Sequence, residues 1–192
     1  MTARQPLPAA ADIVAEMERA VTTEQETSAP SWATGEMAWA TLIVDLVESN
    51  LQQWDLEDTT RDPGASDSEV AKAKRAIDEL NSSRHRLVQQ IDAAIDSTLD
   101  QPATAPLATE SPGMVLDRLS VLVIRRSRTA TASRRDPSLA DRVRALEAQV
   151  GALSEALDFY IDELGAGKRR FLRYESLKLY GTSAAAADSL TE

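Results

Sequence analysis

The sequence predicts an all-α protein: an antiparallel four-helix bundle with a flexible N-terminal arm and a short C-terminal helix. Three observations carry this. Apolar residues recur at three- and four-residue spacing over four separate stretches, which is the period of a buried helix face. Aromatics make up only 4% of the 192 residues, while Ala, Leu, Asp, Glu and Arg are abundant, a bias toward helix formers. No segment alternates apolar and polar residues with the period of a strand, and no internal repeat appears. The expected organisation is an arm over 1–31, a bundle domain over 32–181 and a disordered tail over 182–192.

Residues 1–8 hold two prolines and read as a loose tail, Ala9–Ala20 as a short helix, and residues 22–31 as a polar linker before Trp32. The first long helix spans about Thr34 to Thr60, with the stripe Trp39, Leu42, Ile43, Leu46 and Trp54. Pro63 and Gly64 break it. The second runs from about Asp67 to Leu99 on Val70, Ile77, Leu80, Leu87, Val88, Ile91, Ile95 and Leu99, interrupted by Asn81 and Arg84. A long proline-punctuated loop follows. Ser111-Pro112 then supplies a capping hydroxyl and a proline at the first helical position. The third helix, Gly113 to about Arg128, opens nearly all apolar and so belongs at the centre of the bundle. Its late Arg125, Arg126 and Arg128 complement the helix dipole. The fourth helix has the cleanest stripe: Leu139, Val143, Leu146, Val150, Leu153, Leu157, Ile161 and Leu164, a bundle or coiled-coil seam. Gly165 and Gly167 stop it, and a basic-aromatic segment, 168–181, follows as a short helix packing on the bundle or closing over a ligand.

Composition removes several function classes. There are no cysteines and one histidine, His85, so disulfides, thiolate metal sites, a Cys nucleophile and a multi-His metal site within one chain are excluded. Any metal would rest mainly on carboxylates, which suits Mg²⁺ or Mn²⁺. The net charge of −10 argues against nucleic acid as a partner. No apolar run approaches the roughly 18 residues of a membrane span, and the N-terminus lacks a signal-peptide core, so a cytoplasmic location is expected. Residues 1–60 hold eleven Asp/Glu against two Arg, and residues 118–144 hold eight Arg against two Asp. Opposed charge of this kind suits a small anionic ligand or a homodimer.

Charge also appears where a helix should be greasy. Continued by threes and fours, the first helix's stripe passes through Asn50, Glu57, Asp58 and Arg61. A carboxylate on a core-facing stripe has to be paired, metal-bound or neutralised. Asp117 sits one turn inside the nearly apolar third helix. These positions predict a carboxylate–arginine cluster within the bundle.

WDLEDTTRD (54–62), KRAIDELNSSR (74–84), TESPGMVLDRLSVL (109–122) and FLRYESLKLY (171–180) resemble the uncharacterised bacterial family catalogued as domain of unknown function 4254. The resemblance covers residues 32–181 in order. Carried over by position, the family's polar residues fall on Glu57, Asp58, Arg61, Lys74, Asn81, Arg84, Glu110, Asp117 and Arg118. Two positions depart: Asp55 stands where the family has His after Trp, and His85 where it has Asn after Arg. The resemblance implies an all-helical fold, no established reaction, and a setting in envelope or secondary metabolism.

Together these readings assign Glu57, Asp58 and Asp117 to proton or metal chemistry, with Glu110 joining them in a four-carboxylate Mg²⁺ site. Trp54, Arg61, Asn81, Arg84, Glu110 and Arg118 would hold a phosphorylated or sugar-derived ligand. The competing expectation is a non-catalytic helical interaction protein whose buried charges are register-fixing salt bridges.

Overall fold

A computed structural model describes residues 8–22 and 38–175, the latter without the side chains of 38–40. It contains α1 (Ala10–Thr22), α2 (Ala38–Arg61), α3 (Asp67–Asp96), α4 (Pro112–Ser133) and α5 (Ala140–Gly165), with a 3₁₀ turn at Pro137–Leu139. No strand occurs among the described residues, so the all-α expectation holds.

Local chemistry explains the boundaries. Between α2 and α3, the Gly64 N–H donates to Asp62 Oδ1 at 2.8 Å. Ser66 then opens α3 with a reciprocal capping box to Glu69, satisfying two of the helix's unpaired donors. Those hydrogen bonds hold the Glu69 carboxyl below its ordinary value. Ser111 caps α4, with Pro112 at its first position. Gly167 ends α5 in the left-handed region at φ 65, so that the Lys168 N–H reaches the Glu163 carbonyl at 2.9 Å, a turn that favours glycine.

α4 lies at the centre. Val115, Leu116, Leu119, Val123 and Ile124 are buried, and α4 packs on all four other helices. α2 and α3 form the most extensive pair on one side. α5 packs on α4, α1 and the 3₁₀ turn, and the seam predicted for the fourth helix is spent there, with Leu146, Val150, Leu157 and Leu164 buried.

The short N-terminal helix takes a larger part than an arm would. Ala10, Ile13, Val14, Met17 and Ala20 are buried in the shared core, and α1 bridges α2, α4 and α5. Its first N–H donates to Asp158 Oδ1 on α5 at 2.6 Å, a carboxylate at a helix N-terminus. The arm expected over 1–31 thus includes a core helix; residues 1–7 and 23–31 lie outside the described residues.

The C-terminal helix expected in 168–181 is not helical over its described part, 168–175. That part is an extended strap. The Ala108 N–H donates to the Arg170 carbonyl and the Arg170 N–H to the Pro106 carbonyl, at 2.8 and 3.0 Å, while Phe171 is buried. Residues 176–181 and the tail 182–192 lie outside the described residues. No helix among the described residues is long and apolar enough to cross a membrane.

Candidate functional site

A groove of about 300 Å³ opens where α2, α3 and α4 meet. α2 lines it with Asn50, Gln53, Trp54, Glu57 and Arg61, positions repeating at three and four and therefore sharing one helix face. α3 contributes Arg84, and α4 contributes Val121 and Arg125.

A polar network forms the floor. Asn50 is buried, and its Nδ2 donates to Asp117 Oδ1 at 2.9 Å and to Ser120 Oγ at 2.7 Å. Arg84 Nη1 lies 3.4 Å from Asp117 Oδ2, and its Nη2 donates to Asn81 Oδ1 at 3.1 Å. Asn81, Arg84 and Asp117 are thereby joined, with Asn50 as the link to α2. Of the four buried side-chain atoms that make no hydrogen bond among the described residues, two lie here: Arg84 Nε, a donor, and Gln53 Oε1, an acceptor. Both belong to residues that line the groove.

At the rim, Arg61 pairs with Glu57 at 3.0 Å and lies 3.8 Å from Asp58. Asp58 is exposed and does not line the groove. Asp55 is exposed and pairs with Arg128 of α4 at 2.8 Å.

The four-carboxylate metal arrangement is not formed. Glu110 and Arg118 pair with each other at the start of α4. Glu110 lines a different depression, beside Tyr160 and Arg169, where its carbonyl accepts the Tyr160 hydroxyl at 2.8 Å. Burial of that phenol pushes Tyr160 well above its ordinary value. Arg118 follows Asp117 by one residue, about 100° around the helix, so it points away from the face that Asp117, Val121 and Arg125 turn toward the groove and pairs with Glu110 instead. Among the described residues no three Asp, Glu or His groups converge closely enough to hold a metal ion. Lys74 is exposed and does not line the groove, and the His85 ring packs against Tyr174 with centroids 5.6 Å apart.

The sequence reads Arg125 first as a dipole complement, with a phosphate or acidic-partner patch as the alternative. The available signal was Asp117, Val121, Arg125: a four-residue repeat that carries the Asp117 face to the groove. Sequence reasoning passed over Asp92, which is fully buried. One carboxylate oxygen accepts the Gly113 N–H at 2.7 Å and the other the Tyr174 N–H at 2.9 Å, with Ser111 as a further donor. Asp92 thus joins α3, the start of α4 and the strap. Burial raises its carboxyl above the ordinary 3.8, against the hydrogen bonds from Ser111, Tyr174 and Gly113, which lower it; Asp96 adds a further raise.

A raised native value means that Asp92 contributes most to stability when protonated, and that this contribution is lost as pH rises through the native value. The difference in unfolding free energy between the native chain and Asp92→Asn, followed by urea denaturation from about pH 3.5 to 7, is expected to favour the native chain most at the acid end. A difference that grows with pH would refute the assignment.

The fold and groove define a class: an all-helical domain with an arginine-lined cleft between three helices. A sequence model of the family described as "Protein of unknown function (DUF4254)" matches residues 40–172, and the chain belongs to that family. No curated protein and no solved structure matches it.

Proposed function

We propose that the groove binds a small anionic metabolite, phosphorylated or sugar-derived. One observation carries the reading. Arg61, Arg84 and Arg125, one from each of three helices, surround a space of about 300 Å³ whose lining holds a single carboxylate, Glu57. Guanidinium groups present paired donors that match phosphate and carboxylate oxygens. Trp54 offers an apolar wall for a sugar ring. Glu57 is the lining carboxylate for proton transfer or for a divalent cation arriving with phosphate; Asp117 is engaged in holding Asn50 and Arg84. On this reading the protein works in the cytoplasm on a soluble ligand.

The test is a thermal-shift series on the full chain with inorganic phosphate, sugar phosphates and sugar nucleotides, with and without Mg²⁺. A ligand at about 100 times its Kd stabilises by about 2.7 kcal/mol, a rise of several degrees at this size. Arg125→Gln is expected to abolish most of the shift while leaving the ligand-free Tm unchanged, because Arg125 is exposed. No shift across the panel, or one untouched by Arg125→Gln and Arg61→Gln, defeats the reading.

The network joining Asn50, Ser120, Asp117, Arg84 and Asn81 favours a second reading, a helical interaction protein in which these groups fix helix register. Loss of stability in Asp117→Asn, together with no ligand response, supports that alternative.

A further inference from the structure

α5 has a second face that the bundle does not use. Opposite its buried seam, Phe159 is 63% exposed, and Ala145, Ala148, Ala152 and Ala156 on the same side are also exposed. Gly151 has no atom within 4 Å of the position a Cβ would take. The spacing of the five residues is three, four, four and three, which reads the same in both directions about Ala152. A two-fold contact requires a surface that complements itself, and an antiparallel helix pair centred on Ala152 meets that condition. Ala152 faces its own copy, Ala148 faces Ala156, and Ala145 leaves room for the Phe159 ring.

Charge selects the same arrangement. Residues 134–144 hold four Arg and two Asp, whereas residues 155–163 hold four carboxylates and no basic residue. Antiparallel pairing sets the basic end of one helix against the acidic end of the other; parallel pairing would set like against like. Some of these groups have partners inside the protomer, Arg144 with Asp141 and Glu163 with Arg169. Arg142, Glu155 and Asp162 form no ion pair among the described residues and are exposed.

We propose that the outer face of α5 is a homodimer interface, in which α5 packs antiparallel on α5 of a second copy with the two-fold axis at Ala152. This face is distinct from the leucine-rich seam, which the protomer buries within itself.

The chain has no cysteine of its own, so single cysteines report the geometry directly. Light scattering on the full chain is expected to give twice 20.9 kDa, and Ala152→Glu to return it to the monomer mass with unchanged helicity. Under mild oxidation Ala152→Cys cross-links to itself. Ala148→Cys does not, because copies of residue 148 stand eight residues apart, about 12 Å, beyond disulfide reach; mixed with Ala156→Cys chains it does. A monomeric full chain overturns the proposal, and so does a dimer indifferent to Ala152→Glu or one in which Ala148→Cys self-links as readily as Ala152→Cys.

Discussion

Replacing Gly113 with alanine is expected to lower the unfolding free energy by about 3 kcal/mol and the Tm by roughly 6–12 °C. A Cβ at this position would lie 2.7 Å from Asp92 Oδ1 and 2.8 Å from the Val88 carbonyl. Neither neighbour yields easily. Asp92 is fully buried and held by several donors, and the Val88 carbonyl belongs to the backbone of α3. The start of α4 has to withdraw, which also loses the 2.7 Å hydrogen bond from the Gly113 N–H. Glycine is required here by close approach; its φ is ordinary. Urea and thermal unfolding test this, and a loss under about 0.5 kcal/mol, the scale of a neutral surface change, would show that the approach is looser than described.

Asp92→Ala is expected to cost about 3–4 kcal/mol at neutral pH. It leaves the Gly113 and Tyr174 N–H groups without their acceptor, at about 1–3 kcal/mol for each buried unsatisfied donor. Relief of a desolvated carboxylate offsets part of this. The loss is local as well as global: the strap loses its hold on α3, so the Tyr174 amide is expected to exchange with solvent faster than the core amides of α4. Retained protection at Tyr174 would show that the strap is held by other contacts. The two substitutions are coupled. Removing Asp92 removes one of the two clashes of an alanine at 113, so the double variant should cost at least about 1 kcal/mol less than the sum of the single variants; the contact with the Val88 carbonyl keeps the remainder.

Much of the fold was legible in the chain, and particular residues show why. The α4 run from Val115 to Ile124 is apolar nearly all round, and only the centre of a bundle accommodates that. Ser111-Pro112 and the Ser66–Glu69 box mark helix starts through short-range hydrogen bonding alone. Half of the groove was legible for the same reason: Trp54, Glu57 and Arg61 share one face of one helix, and periodicity alone places them together. Glu110 and Arg118 were grouped with them by sequence likeness, yet they face α5 and its loop. Arg125 reads first as a helix-end charge and second as part of a phosphate patch, and it lines the groove. Asp92 sits beside Ile91 and Ile95, where a carboxylate should have signalled a buried acceptor.

The sequence by itself determined the all-α class, the central place of α4, the Ser111-Pro112 start of that helix, and the α2 face shared by Trp54, Glu57 and Arg61. Only the tertiary structure decided which charges meet: Arg84 with Asp117, Asp55 with Arg128, Asp92 with the amides of Gly113 and Tyr174. It also drew α1 into the core and laid the C-terminal segment down as a strap. The physical reason is the range of the interactions. Helix periodicity and capping are settled within about four residues of chain, whereas contact between helices depends on their rotation and axial offset. Each residue of offset moves a side chain about 1.5 Å along the axis and 100° around it, and the packing of the whole core fixes that offset.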